Sequence, residues 1–274
     1  MTAAEVPAAM LLKNAAGWNQ TEQDWRNLLQ LAPDGCFRIR CDGRLAATTS
    51  AVCFGTRLAW IGMVLTDAEY RGRGFARQLM EHALEYLGNS VEWIKLDATD
   101  MGWPLYRKLG FEDECPIERW GRAARESAPC PEGGTRSLLR NGYRAGSFGE
   151  LDFRAFGADR GELLSLLGSI ESAEVPEEGY AMGRPGARAA YFGPCVSRSP
   201  DAARELLQWF LARHPSEPIY WDLLPDNREA VKLARDFGFE RLRELVRMVR
   251  PAAPGGPFTS QNSNVFAIAG FEYG

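Results

Sequence analysis

The sequence predicts an α/β fold, a mixed α+β sheet covered by helices, arranged as two domains on one plan. Three observations carry this. An apolar run over 58–65 leads through a glycine-rich loop into an amphipathic run over 78–87. A strand-like segment at 91–99 is followed by a short helical pattern that stops at Gly110-Phe111. The same order of strand, turn, helix, strand, helix and Gly-Phe stop recurs between residues 189 and 239, which marks an internal repeat.

The first loop is Arg71-Gly72-Arg73-Gly74-Phe75-Ala76, preceded by Tyr70. A tight loop at a helix N-terminus turns several unpaired N–H groups toward one point, where the helix dipole is positive and an anion is favoured. The two glycines let backbone approach a phosphate with no Cβ in the way. Two familiar phosphate loops are excluded. The chain has no Gly-Lys-Ser/Thr ending, and Arg77 stands where a dinucleotide fingerprint needs its third Gly or Ala.

Segment 91–99 is rich in β-branched and aromatic residues. Then come Pro104, suited to a first helical turn, and Leu105-Tyr106-Arg107-Lys108-Leu109-Gly110-Phe111, with Gly110 suited to a left-handed stop. Together the Arg-x-x-Gly-x-Ala loop and the Leu-Tyr-x-x-x-Gly-Phe ending resemble the GNAT N-acetyltransferases. The sequence departs from that family at the start of the second helix, where Thr99 and Gly102 replace the usual Asn and Ala.

The second domain repeats the frame. Ser199 and Pro200 open a helix to about residue 213, 218–224 reads as a strand, and Asn227-x-x-Ala230 leads to Phe237-Gly238-Phe239. Its chemistry is replaced: Ser197-Arg198-Ser199-Pro200-Asp201-Ala202 takes the place of the glycine loop, and Ala234 that of the tyrosine. Pro200 also removes a donor. With the tail Phe266-Ala267-Ile268-Ala269-Gly270-Phe271-Glu272, the whole chain resembles the YitH-type tandem GNAT proteins. The expected organisation is a catalytic GNAT domain at 1–121, a Pro/Gly-rich linker at 122–141, and a degenerate GNAT-like domain at 142–274 that lines the substrate pocket or stabilises the fold.

Composition narrows the classes. The chain has 274 residues, is 45% hydrophobic and carries a net charge of −4, which gives no bulk reason to expect nucleic acid. No run approaches the roughly 18 apolar residues of a membrane span. The first ten residues hold no basic residue and no long apolar run, so no secretory signal is expected, and the expected compartment is the cytoplasm. Six cysteines without a Cys-x-x-Cys pair and only two histidines point to reduced, mostly buried thiols and no metal site.

The resemblance implies acetyl-CoA as co-substrate and a primary amine of a small molecule or peptide as acceptor, attacked directly. It places the pyrophosphate on the amides of Arg71, Gly72, Arg73, Gly74, Phe75 and Ala76. It places the pantetheine arm along a strand that splays from its neighbour, here Val64, Leu65 and Thr66. Tyr106 is then the acid for the departing thiolate, although a buried tyrosine also serves simply as core. Asp97, at the end of its strand, is a candidate base or a turn-closing residue. Glu272 is a second base candidate or a ligand for a cationic amine, against an edge-exposed carboxylate. Trp18, Asn19 and Gln20 precede a helix near Thr21 and stand where the family lines its acceptor pocket. His82 and His214 read as structural or solvent-facing. A CoA-binding sensor without turnover is the rival from another class, and oligomeric state is open.

Overall fold

The computed structural model describes residues 1–124, 139–253 and 257–274. The greater part of the expected linker, 125–138, and Cys130 with it, lies outside the described residues. Along the chain run α1 (Val6–Ala15), α2 (Glu22–Leu31), β1 (Cys36–Cys41), β2 (Arg44–Phe54), β3 (Leu58–Thr66), α3 (Phe75–Leu87), β4 (Trp93–Ala98), α4 (Trp103–Lys108) and β5 (Glu112–Arg122). There follow β6 (Arg140–Asn141), α5 (Gly149–Phe156), α6 (Gly161–Gly168), β7 (Glu171–Val175), β8 (Gly179–Arg184), β9 (Ala190–Ser197), α7 (Pro200–Arg213), β10 (Ile219–Leu223), α8 (Arg228–Asp236), β11 (Glu240–Pro251) and β12 (Val265–Ala267).

Two compact units result, and neither is contiguous. Unit 1 comprises Met1–Cys115, Val246–Phe258 and Phe271–Gly274; unit 2 comprises Pro116–Leu245 and Thr259–Gly270. The contiguous division expected at 121 and 142 is therefore corrected in three places: residues 116–121 join unit 2, while 246–258 and 271–274 join unit 1. The cause is an exchange of strands. β4 pairs antiparallel with β11, which comes from the far end of the chain, while β10 pairs antiparallel with β5, which comes from the first half.

In unit 1 the strands run β1-β2-β3-β4-β11. One face packs α3 and α4 through Ile61, Met80, Ala83, Leu87, Ile94, Leu96, Tyr106 and Phe111. Alternation along a strand sends the neighbouring side chains of Trp60, Lys95 and Asp97 to the other face. Unit 2 runs β5-β10-β9-β8-β7-β6, with Phe192, Leu206, Leu207, Phe210, Trp221 and Phe239 at its centre.

The repeat holds in detail. Gly110 and Gly238 end α4 and α8 at φ +86° and +74°, each followed by a phenylalanine whose N–H donates five residues back, Phe111 to Tyr106 O and Phe239 to Ala234 O. Ala234 thus occupies the place of Tyr106. Asn227 caps α8, its Oδ1 accepting from Ala230 N at 3.1 Å.

His214, at the end of α7, sets a pH test of unit 2. Its Nε2 lies 2.8 Å from Glu171 Oε2 and its Nδ1 3.3 Å from Glu217 Oε2, while Arg213 also pairs with Glu171. The Glu171 hydrogen bond, against the opposing effect of burial, raises the His214 pKa above its ordinary value. A raised folded pKa means stability present in full below the unfolded value of about 6.5 and lost as pH climbs through the folded value. His214→Gln should therefore flatten the fall in stability on the alkaline side of about pH 6.5, read by denaturant midpoints across a pH series.

Candidate functional site

Gly72 and Gly74 adopt φ +77° and +80°, and Gly74 is the residue that caps α3. A Cβ at either would meet nothing within 4 Å, and residues 71–74 are exposed. Positive φ at both turns the loop so that its N–H groups face solvent. The first helical donor that finds an acceptor is Gln78 N, to Gly74 O at 3.0 Å; among the described residues the N–H groups of 72–76 have no acceptor. The arrangement is an exposed anion site at the N-terminus of a helix of 13 residues.

Beside it, β3 and β4 part. Their parallel pairing covers Leu58, Ala59 and Trp60 against Trp93, Ile94 and Lys95, and ends there. Met63, at φ +51°, makes a bulge in β3, matched by the register shift on β2 between Thr48 and Ser50. Thr48 Oγ1 and Thr49 Oγ1 bond to Met63 O and Gly62 O at 2.9 and 3.2 Å and hold the bulge. Val64, Leu65 and Thr66 follow it on an edge that no described strand pairs.

Tyr106 is 7% exposed, its ring edge-on to Phe111. The family's alanine position is Gly102 here for a visible reason: a Cβ there would stand 2.7 Å from Tyr106 Cε2. Thr99 starts the helix, its carbonyl accepting from Gly102 N and Trp103 N at 2.9 Å. Among the described residues nothing hydrogen-bonds the Tyr106 hydroxyl. Burial pushes its pKa well above the ordinary phenol value, so it holds its proton at any working pH.

Asp97 is neither a turn residue nor an available carboxylate. Its side chain is fully buried and bidentate to Arg247, its cross-strand partner on β11, at 2.9 and 3.1 Å. The guanidinium also lies 4.5 Å from the Trp60 ring centroid. Both carboxylate oxygens are engaged in charge-assisted bonds with Arg247. Next to it Lys95 reaches Glu114 at 2.6 Å, and burial lowers the Lys95 pKa.

Glu272 is 2% exposed, which overturns its reading as an edge residue. Gln20 Nε2 donates to its Oε2 at 2.6 Å. Its backbone presses on β3 so closely that a Cβ at Gly62 would fall 3.0 Å from Glu272 Cα and O. Trp60 Nε1 donates to Phe271 O at 3.0 Å, and Tyr273 OH to Asp24 O at 3.0 Å, so the tail is tied down on both sides. Thr21 begins α2, its N–H donating to Asp24 Oδ2 at 2.7 Å. Asn19 is buried near this turn, and Trp18 is half-buried with its N–H on Lys13 O. The structure thus brings Gln20 to Glu272 and leaves Trp18 on the turn. Sequence reasoning missed Arg247, Trp60 and Gly62; the alternation of β3 carried a signal for the last two.

In unit 2 the corresponding features are closed. Ser199 Oγ accepts from Ala202 N at 3.4 Å and donates to Glu178 Oε2 at 2.8 Å, so the start of α7 is capped by its own chain. β9 and β10 also pair for three residues and part, Ala190, Tyr191 and Phe192 against Ile219, Tyr220 and Trp221. Here β12 takes the gap. It pairs antiparallel with β9 at Val196 and Cys195, and Ile268 N donates to Asp222 O on β10 at 3.0 Å. The apolar tail strand expected from sequence therefore pairs inside unit 2. Of the described cysteines, Cys36 and Cys195 are buried, Cys41 and Cys115 partly so, and Cys53 is exposed, fewer buried than expected. His82 is exposed and packs edge-on against Phe37. Among the described residues no group of three or more His, Cys, Asp or Glu is placed to hold a metal, and no helix is long and apolar enough to cross a membrane.

A glycine loop with unpaired donors beside a parted parallel pair, open in one copy and closed in the other, defines a class. The acetyltransferase (GNAT) family model matches residues 9–111 and the acetyltransferase (GNAT) domain model residues 149–267, and the chain belongs to the GNAT superfamily as two such domains in tandem. It is 27% identical over 247 residues to the uncharacterized N-acetyltransferase YitH of Bacillus subtilis strain 168, spanning 86% of this chain and 85% of that one. Its fold is similar to a candidate acetyltransferase from Pyrococcus horikoshii, with TM-score 0.86, 20% identity and coverage of 100% and 94% of the two chains. It is also similar to a tandem GNAT protein from the clavulanic acid biosynthesis pathway, with TM-score 0.66, 16% identity and coverage of 93% and 98%.

The Asp97–Arg247 pair sets a stability test. Removing one partner of a buried ion pair leaves the other uncompensated and costs about 3–5 kcal/mol. Asp97→Asn should lower the unfolding midpoint by that order in denaturant melts, while the enzyme that remains folded keeps a normal pH profile. A stable Asp97→Asn protein with a lost acidic limb would restore Asp97 as a base.

Proposed function

We propose that unit 1 transfers the acetyl group of acetyl-CoA to a primary amine of a small molecule or peptide, and that unit 2 has no catalysis of its own. The single observation behind this is the open edge of β3 at Val64, Leu65 and Thr66 beside the free N–H groups of 72–76. These residues fit the co-substrate: the loop offers donors and open space for a pyrophosphate, and the strand edge offers backbone groups to an amide-bearing arm.

Acetyl-CoA supplies an activated thioester. An N–H on the β3 edge donates to its carbonyl oxygen and stabilises the negative charge that grows there. A carboxylate, Glu272 in this reading, holds the acceptor's ammonium and takes up its proton directly or through water, leaving the nitrogen lone pair to attack the carbonyl carbon. As the C–S bond breaks, Tyr106 OH gives its proton to the sulfur, and the second proton shed by the attacking nitrogen passes through solvent to the phenolate, leaving a neutral amide and a free thiol. The raised pKa makes Tyr106 a weak acid but keeps the proton in place until a thiolate forms beside it.

The test is free-thiol release from acetyl-CoA with a panel of primary amines. Wild type should release thiol with at least one amine. Tyr106→Phe should lose roughly 10²-fold in kcat with acetyl-CoA binding unchanged, and Gly74→Asp should lose that binding while keeping the fold by circular dichroism. Tight CoA binding with no thiol release from any amine would favour a sensor.

A further inference from the structure

We propose that Phe271–Gly274 forms the acceptor side of the unit 1 site, and that the site selects a small hydrophilic primary amine held as its ammonium. The inference rests on the acetyl-transfer reading for the role of the amine, and on separate observations for the seat.

An ammonium needs three acceptors. Glu272 is buried, and its backbone lies against Gly62, two residues past the last β3–β4 pair. Gln20, itself 7% exposed, donates through Nε2 to that carboxylate and leaves Oε1 with no partner. Ser50 lies directly across the ladder from Gly62, fully buried, and its Oγ also has no partner. Cross-strand partners share a face, so the hydroxyl points to the side that Glu272 covers. Buried polar atoms without partners are rare in folded proteins; one on the side chain that holds the Glu272 carboxylate, and another on the face of β2–β3 that the Glu272 backbone covers, point to a polar guest. The indole of Trp60, committed to Phe271 O, and the Arg247 guanidinium over it leave no long apolar wall, which argues against fatty amines.

The CoA-loaded full chain is titrated by calorimetry with spermidine, glucosamine and glycinamide, and the same variants are assayed for thiol release. The expected result is binding of at least one probe, weakened roughly 10–100-fold by Glu272→Gln, the range for losing a charge-assisted bond, with partial recovery in Glu272→Asp. A chain ending at Gly270 should lose the binding, and CoA affinity should change neither in it nor in the Glu272 variants. No binding of any probe by wild type, or equal binding by Glu272→Gln and the shortened chain, would overturn the inference. Intact amine binding without thiol release would count against acetyl transfer and leave the ammonium seat standing.

Discussion

A parallel strand pair that hydrogen-bonds for three residues and then separates leaves backbone donors and acceptors that need partners, and both halves of this chain are organised around that need. In unit 2 the partner is internal: β12 enters between β9 and β10, and Ile268 completes the link to Asp222. In unit 1 the bulge at Met63 carries β3 away from β4, and the edge lies beside a helix N-terminus whose amides face solvent. The same local geometry thus serves as a structural joint in one copy and as the framework of a site in the other. The side-chain changes agree with the division: glycines and Tyr106 in the first copy, Ser199, Pro200 and Ala234 in the second.

Exchange of the last strands gives the tandem its logic. β4 is completed by residues 246–251 and β10 by residues 118–122, so each unit borrows its closing strand from the other half of the chain. A fragment cut near residue 121 would lose the partner of β4 and with it Arg247, leaving the Asp97 carboxylate buried and alone. Duplication therefore supplies more than a second copy of a fold. It supplies the strand, the ion pair and the tail that the first half of the chain lacks on its own.

Much of this was legible in the residues. The glycine loop, α3, the Gly110 and Gly238 stops and the Asn227 cap follow from local rules of backbone conformation, and each forms where its sequence places it. The degenerate second copy could be read for the same reason. The ion pair of Asp97 was not legible because its partner, Arg247, lies 150 residues away on a strand whose sheet no local pattern assigns. Glu272 was ambiguous in an apolar tail; the structure buries it through Gln20, Trp60 and Gly62, a set that only the folded chain assembles. The domain boundaries failed for one reason also, since exchanged strands look like ordinary strands when read along a chain.

The central claim is that one parted pair is open to a ligand and the other is closed by the chain itself. Hydrogen exchange of the full chain with and without CoA, alongside a calorimetric count of sites, tests it most directly. The account predicts one CoA per chain, with new protection at 64–66 and 72–76 and none at 193–202. A second equivalent of CoA, or protection in β9 and the start of α7, would contradict it.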